Sequence, residues 1–557
     1  MNRFFKTTAV AAHLAESDYT GTLAREYNQL EAENEMKWGW IRPTQTSYNF
    51  TGGDALVAFA EANDMAVCGH NLLWHLDHPA WLTQGTFTPA QLKQIMQDHI
   101  ANVVQHWAGK VYAWDVVNEA FSGNTPSVPR ESIWNNQPGI GMPGTAYIEQ
   151  AFRWAHAADP GALMFYNEYG IEDLGAKFDA VYAMALDFTS RGVPFDGIGI
   201  QMHIDTMGYP SLNGLDTVIR RFNDLGLRVH ITEMDVRLST ANGGPQGSDL
   251  TQQAAIYNNI ATVCLKHPLC DSIQTWGFTD KYSWVPCFFT GFGAALPFDQ
   301  NYQPKPAYAT LLSSVTNAPP RATSAGLVHA ASYDHGAVSP GELVTLFGGS
   351  LGPQTLASLQ LTKAGLVANS LSGTSITFDS LPAPLIFVQA NQLSAIVPYA
   401  VATQSTTSMI VTSANGASQT LTLSVAPTHP GLFTLNQRGT GQAAALNQDG
   451  HTGNGSAHPA PRGSIVSLYG TGAGQTTPAG IDGSLAGNAP PQPLASVSVT
   501  ISGQSVKPDF AGGAPGEVAG VIQINVRIPQ TVTAGDVPVT FTVGHATSQA
   551  GVTLAVE

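Results

Sequence analysis

Over residues 1 to about 315, short continuous apolar runs alternate with stretches whose apolar residues recur every three or four positions. A short apolar run reads as a strand buried on both faces, and the 3.6-residue recurrence as a helix with one buried side. The runs predict strands over residues 4–10, 28–32, 66–73, 111–117, 162–167, 197–201, 228–232 and 272–276. Helical periodicity occupies 53–63, 89–106, 144–158, 174–191 and 249–267 between them. The second of these opens with Thr88-Pro89-Ala90-Gln91, a capping box with proline at the first helical position. Eight strands, each followed by a helix, predict an α/β fold, a closed (β/α)8 barrel in preference to an open doubly wound sheet.

After Pro319-Pro320 the pattern changes to short strand-like runs of Ser, Thr, Ala and Val broken by Gly and Pro. This half repeats itself. Pro340-Gly341-Glu342-Leu343-Val344-Thr345-Leu346-Phe347-Gly348 is echoed by Arg462-Gly463-Ser464-Ile465-Val466-Ser467-Leu468-Tyr469-Gly470, and residues 393–398 by 524–529. Two tandem all-β sandwiches follow. The expected partition is a catalytic barrel over 1–316, a linker over 317–323, and β-sandwich repeats over 324–430 and 431–557. The repeats loosely resemble immunoglobulin-like modules of secreted bacterial proteins. Phe347, Tyr399, Phe433 and Tyr469 fall in strand patterns and read as core.

Composition narrows the partners. Of the 557 residues only 11% are charged, and the net charge of −16 excludes a polyanion-binding role such as nucleic-acid recognition. No apolar run is long enough to span a bilayer. The opening Met1-Asn2-Arg3-Phe4-Phe5-Lys6 is too short and polar for a secretory signal, so a leader removed earlier, or a truncated start, is expected. Four cysteines are present. Cys264 and Cys270 bracket a short turn between a helix and a strand, a candidate disulfide consistent with a secreted location. Cys68 reads as a small buried apolar residue, and no metal site is expected.

In a barrel, chemistry gathers at the C-terminal strand ends. Those ends carry Glu33-Asn34, His70 with Trp74-His75, Asn118-Glu119, Asn167-Glu168-Tyr169, Gln201 with His203, Glu233 with Asp235, and Trp276 with Asp280. Carboxylates, amides, imidazoles and indoles converge without a phosphate loop, a Ser-His-Asp set or a cofactor motif. Paired carboxylates among hydroxyl-reading amides and stacking indoles suit sugar hydrolysis, where one acid protonates the leaving oxygen and another carboxylate attacks the anomeric carbon.

These segments resemble the motifs of family 10 glycoside hydrolases, the endo-β-1,4-xylanases, over residues 4 to about 312. The residues that carry the resemblance are Glu31-Ala32-Glu33-Asn34-Glu35-Met36-Lys37-Trp38, Gly69-His70-Asn71-Leu72-Leu73-Trp74-His75, Trp114-Asp115-Val116-Val117-Asn118-Glu119-Ala120 and Ile231-Thr232-Glu233-Met234-Asp235-Val236. The run from Trp276 to Trp284 and Pro304-Lys305-Pro306-Ala307-Tyr308 complete it. The resemblance implies retaining hydrolysis of xylan, with Glu119 as general acid/base and Glu233 as nucleophile. It further implies that Asn118 binds the sugar 2-hydroxyl, His203 holds the nucleophile with support from Asp235, and Gln201 contacts the same subsite. Glu33, Asn34, Lys37, His70 and Trp74 would line the glycone side, Tyr169 the cleft beyond, and Trp276 and Trp284 its wall.

Three positions depart from the family pattern: Asp77 where Gln is usual, Gly170 where a polar residue is usual, and no helix before the first strand. The last predicts a less filled barrel floor. A β-1,4-glucanase or mixed-specificity glycosidase is the first alternative and a non-catalytic carbohydrate-binding surface protein the second. The all-β half, poor in exposed aromatics, reads as a spacer or as a cell-surface or polysaccharide attachment module.

Overall fold

Eight parallel strands close on themselves in the computed structural model, which describes residues 4–241 and 244–557. They are β1 (Phe4–Ala9), β2 (Gln29–Ala32), β3 (Ala66–Leu73), β4 (Val111–Asn118), β5 (Leu163–Glu168), β6 (Gly197–Ile200), β7 (Arg228–Ser239) and β8 (Cys270–Thr275). Each pairs with its sequence neighbour, and β1 also pairs with β8 from Phe4↔Ser272 to Thr7↔Thr275, which closes the barrel. The opening Met1–Arg3 stretch lies outside the described residues.

The predicted alternation holds. Helix Pro89–His106 is capped by Thr88, whose Oγ1 accepts from Gln91 N while Gln91 Oε1 accepts from Thr88 N. Ser17–Glu26 and Leu212–Asp224 supply helices that the periodicity did not single out. Strand β7 continues to Ser239, well past its predicted end at 232, because beyond the barrel it pairs with His203–Asp205 and Phe292–Gly293.

The lower interior is filled by a layer from alternate strands: Lys6 on β1, Cys68 on β3, Phe165 on β5 and His230 on β7. Four side chains from odd-numbered strands at one level is the packing that a closed eight-stranded barrel imposes. Lys6 Nζ lies 3.3 Å from both Cys68 Sγ and His230 Nδ1, and Phe165 stacks on His230 at 4.1 Å. The floor is therefore occupied by the strands' own side chains. Cys68 departs from its apolar reading: it is buried, but its sulfur also accepts from Gln29 Nε2 at 2.6 Å, and burial pushes the thiol up to about 12. Cys264 and Cys270 are disulfide-bonded, joining the end of helix Gly247–Lys266 to the start of β8, and Cys287 is an exposed thiol.

The described chain divides after Asn317 into two compact units, and the second is all-β. Leu343–Phe347 pairs with Gln392–Ile396, and Thr374–Phe378 with Thr406–Ser413, around a core that includes Ile376, Phe378, Leu393 and Val411. The same pairings recur between Ile465–Thr471 and Ile522–Arg527, and between Val497–Ile501 and Gly535–Val543, around Leu468, Ile524, Val539 and Phe541. A small cluster of Leu343, Val367, Ile396 and Val518 joins the two cores.

Two expectations change here. Arg321 is not in a free linker, since its backbone pairs both ways with Gly349, tying the 317–323 stretch into the β-unit. Phe347, read as core, is 42% exposed at the end of a strand whose four preceding residues are all buried. Tyr399 is buried, while Phe433 and Tyr469 are half-buried. No helix among the described residues is long and apolar enough to cross a membrane.

Candidate active site

The C-terminal strand ends surround a cleft of about 1290 Å³. Its lining brings together Glu33, Asn34, Lys37, His70, Trp74, Asn118, Glu119, Tyr169, Gln201, His203, Glu233, Trp276 and Trp284, residues that lie up to 251 positions apart in the chain but end adjacent strands. Asp235 sits behind this surface and is fully buried.

Glu233 ends the barrel portion of β7 and is held on both oxygens. Asn167 Nδ2 donates to Oε1 at 2.6 Å, and His203 Nε2 lies 3.0 Å from Oε2. His203 Nδ1 is 2.8 Å from Asp235 Oδ2, and Trp284 Nε1 donates to that same oxygen at 2.9 Å. Burial works against charge on His203, but Asp235 and Glu233 outweigh it and lift its pKa to about 10. Burial likewise opposes ionisation of Glu233, yet the hydrogen bond and charge of His203, with His70 and Asn167 adding, hold its carboxyl below the ordinary value. The result is a carboxylate kept ionised in a buried site.

Glu119 follows β4 with φ +54, a backbone conformation uncommon for a residue bearing a side chain. Trp74 Nε1 donates to its Oε2 at 2.9 Å, and Gln201 Nε2 donates to its Oε1 at 2.9 Å. His75 Nδ1 lies 3.9 Å from Oε2. Asn118 Oδ1 accepts from Asn167 Nδ2 at 3.1 Å and from Gln201 Nε2 at 3.2 Å, so one amide network runs from Glu119 to Glu233.

On the β2–β3 side, Lys37 Nζ bonds Asn34 Oδ1 at 3.1 Å and lies over the rings of Trp74 and Trp276 at 5.2 and 5.5 Å. Burial pushes the Glu33 carboxyl up to about 7, against the pull of Lys37. His70 Nδ1 lies 2.8 Å from Asp115 Oδ2, and its other nitrogen faces Asn71 Nδ2 at 3.1 Å.

Several strand-end residues behave differently from their sequence reading. Asp280 is absent from the cleft lining; it bonds Lys305 Nζ at 2.9 Å and accepts from Leu296 N. Asp77 is also absent from the cleft lining; it packs on Gly39, whose N–H its main-chain carbonyl accepts at 2.9 Å. Gly170 does line the cleft, with φ +70, where glycine carries no strain. Asn167 stood among the strand-end residues but was given no role, and the pattern left out Arg130, Lys177, Arg237, Tyr209, Phe288 and Phe289. Arg237 lies on β7 beyond the barrel, and the other five come from loops and helices with no local signature.

Among the described residues, two clusters each bring three metal-ligating groups within 4.8 Å of one another. In Glu31–His70–Asp115 both ring nitrogens of the histidine are engaged. In His329–Glu342–His429, His329 Nδ1 accepts the amides of Ala331 and Ser332, which places the ring proton on Nε2 and leaves no lone pair there for a cation. Neither donor set suits a metal.

The model of glycosyl hydrolase family 10 matches residues 1–314. Endo-1,4-beta-xylanase B of Thermotoga neapolitana is 46% identical over 290 residues, 52% of this chain and 81% of that protein. Endo-1,4-beta-xylanase C of Phanerodontia chrysosporium is 38% identical over 307 residues, 55% of this chain and 74% of that protein. Among solved structures, xylanase 10B from Thermotoga petrophila RKU-1 in complex with xylobiose superposes with a TM-score of 0.53 at 44% identity, covering 56% of this chain and 94% of that one.

Proposed function

The chain belongs to glycosyl hydrolase family 10, and from that premise we propose how its cleft divides the work: Glu233 attacks and Glu119 moves the proton. The activity is endo-hydrolysis of β-1,4-xylosidic linkages in xylan, with retention through a covalent glycosyl-enzyme.

In the first step protonated Glu119 delivers its proton to the leaving oxygen as Glu233 forms an ester with the anomeric carbon. In the second, Glu119, now a carboxylate, takes a proton from the water that hydrolyses the ester. Asn118 binds the 2-hydroxyl of the sugar at the cleavage point, a bond that strengthens in the transition state. Gln201 serves the same subsite, while Glu33, Asn34, Lys37, His70 and Trp74 bind the glycone. Tyr169 contributes to the cleft beyond the scissile bond, and Trp276 and Trp284 wall it.

One observation carries the assignment: Glu233 is buried, with Asn167 and His203 on its two oxygens, while Glu119 faces the cleft with an indole and an amide on its carboxyl. Relatives such as the Thermotoga neapolitana and Phanerodontia chrysosporium enzymes act on xylan by name, and two carboxylates are present, so the glucanase and non-catalytic readings gain no support. The test is product sizing on xylan beside carboxymethylcellulose for wild type and Glu233→Ala. Short xylo-oligomers from wild type alone support the reading; equal cleavage of cellulose overturns the substrate, and an active Glu233→Ala overturns the nucleophile.

For the all-β half we infer a spacer or attachment role in a secreted protein, built as repeats over 324–430 and 431–557. Its matching strand pairings support the repeat, and the Cys264–Cys270 disulfide supports an oxidising compartment. Retention of an isolated 320–557 fragment on insoluble xylan would count against the spacer role and for sugar binding.

A further inference from the structure

The strained backbone at Glu119 is held from one direction by the end of β5. A non-glycine residue at positive φ costs on the order of 1–3 kcal/mol and persists only where its surroundings over-determine it. Here Asn167 O accepts the Glu119 N–H at 2.9 Å, Tyr166 Oη accepts the Ala120 N–H at 3.0 Å, and Glu168 Oε2 accepts the Phe121 N–H at 3.0 Å. Three successive amides of the 119–121 turn are thus bonded to three successive residues of β5.

Glu168 is the hub of this support. Tyr166 Oη donates to its Oε2 at 2.5 Å, so the hydroxyl that accepts from Ala120 is itself fixed by the carboxylate. On the other oxygen, Oε1 accepts the Tyr169 N–H at 3.2 Å and forms an ion pair with Lys177 Nζ at 2.8 Å. Glu168 is fully buried and does not line the cleft. Lys177, the Tyr166 hydroxyl and the amides of Phe121 and Tyr169 all donate to it; burial lifts its carboxyl to about 7, against the charge of Lys177. Arg130 closes the turn from the opposite side, with Nε on Glu119 O at 3.2 Å and Nη2 on Phe121 O at 3.3 Å.

We infer that Glu168, with Lys177 as its counter-ion, is a positioning residue for the proton-transfer step: its carboxylate fixes the 119–121 turn and thereby aims the Glu119 carboxyl at the leaving oxygen. This rests on the assignment of Glu119 as acid/base. A purely structural ion pair would affect all substrates alike, whereas a positioning role has a signature in the leaving group. Departure of a phenolate activated by nitro groups needs no proton, and departure of a sugar hydroxyl does.

The experiment compares kcat/KM of the full chain on xylan and on 2,4-dinitrophenyl β-xylobioside for wild type, Glu168→Gln, Tyr166→Phe and Glu119→Ala. Glu168→Gln is expected to lose about 100-fold on xylan, the scale of an ångström-sized misplacement, and no more than about threefold on the aryl glycoside. Tyr166→Phe keeps the charge and removes one bridge, so it should show the same selectivity with a smaller loss, and it serves where Glu168→Gln fails to fold. Equal losses on both substrates, or no loss on either, in the variants that fold overturn the positioning role. Glu119→Ala separates the two readings. If it shows no leaving-group selectivity, the acid/base assignment itself fails; if it does and the β5 variants do not, only the positioning role fails.

Discussion

Asn167 lies 2.6 Å from Glu233, its amide nitrogen on Oε1, and its orientation is set by Thr232, whose hydroxyl donates to the Asn167 oxygen at 2.7 Å. With that oxygen engaged, the NH₂ group is turned toward Glu233, and it also reaches Asn118 Oδ1 at 3.1 Å. One side chain on β5 therefore couples Glu233 on β7 to Asn118, the neighbour of Glu119, on β4.

Removing that coupling should be costly. A hydrogen bond to a charged group contributes roughly 1.5–3 kcal/mol, so Asn167→Ala is expected to lose roughly ten- to a hundredfold in kcat/KM on xylan. Steady-state kinetics with a circular-dichroism check of folding measures this, and a loss under threefold would show the bond to be dispensable.

The acid limb of the pH–rate profile should respond to His203. Its hydrogen bond and charge hold Glu233 below the ordinary carboxyl value against the effect of burial. His203→Asn removes the charge, so Glu233 protonates at higher pH and the acid limb of kcat/KM moves upward. An unmoved limb would mean that another group controls it.

Stability should depend on the same histidine. Its folded pKa is about 10 against an ordinary value of 6.5, raised by Asp235 and Glu233 over the opposing effect of burial. A raised value means the stabilisation is fully present below pH 6.5 and is lost as pH rises through about 10. Melting temperature should fall across that window by several degrees, and the slope should flatten in His203→Asn. Parallel slopes in calorimetry would assign the dependence elsewhere.

The disulfide closes a short loop, with a sequence separation of 6 between Cys264 and Cys270. Loop-closure entropy for so few residues amounts to about 2 kcal/mol. The Cys264→Ser/Cys270→Ser double variant should melt several degrees lower while keeping kcat/KM at 25 °C, because the bridge lies at the start of β8, away from the cleft. Denaturant melts and xylan assays on the same samples check both halves of the statement.

The barrel and the identity of most groups on its upper face are legible in the chain's periodicity. Strand and helix periods are local properties of the backbone, and a strand's last side chains project into the barrel mouth wherever the strand sits. Glu119, Glu233, His203 and the tryptophans are legible for that reason, as is the capping box at Thr88. What those groups do to one another depends on how the folded strands lie side by side. Asn167 meets Glu233, and Glu168 meets the amide of Phe121, because barrel register brings β5 beside β4 and across from β7, and no spacing along the chain encodes that register. The same closure turned Cys68 from an apolar residue into a partner of Lys6 and Gln29, and drew Asp77 and Asp280 away from the cleft to neighbours supplied by other segments.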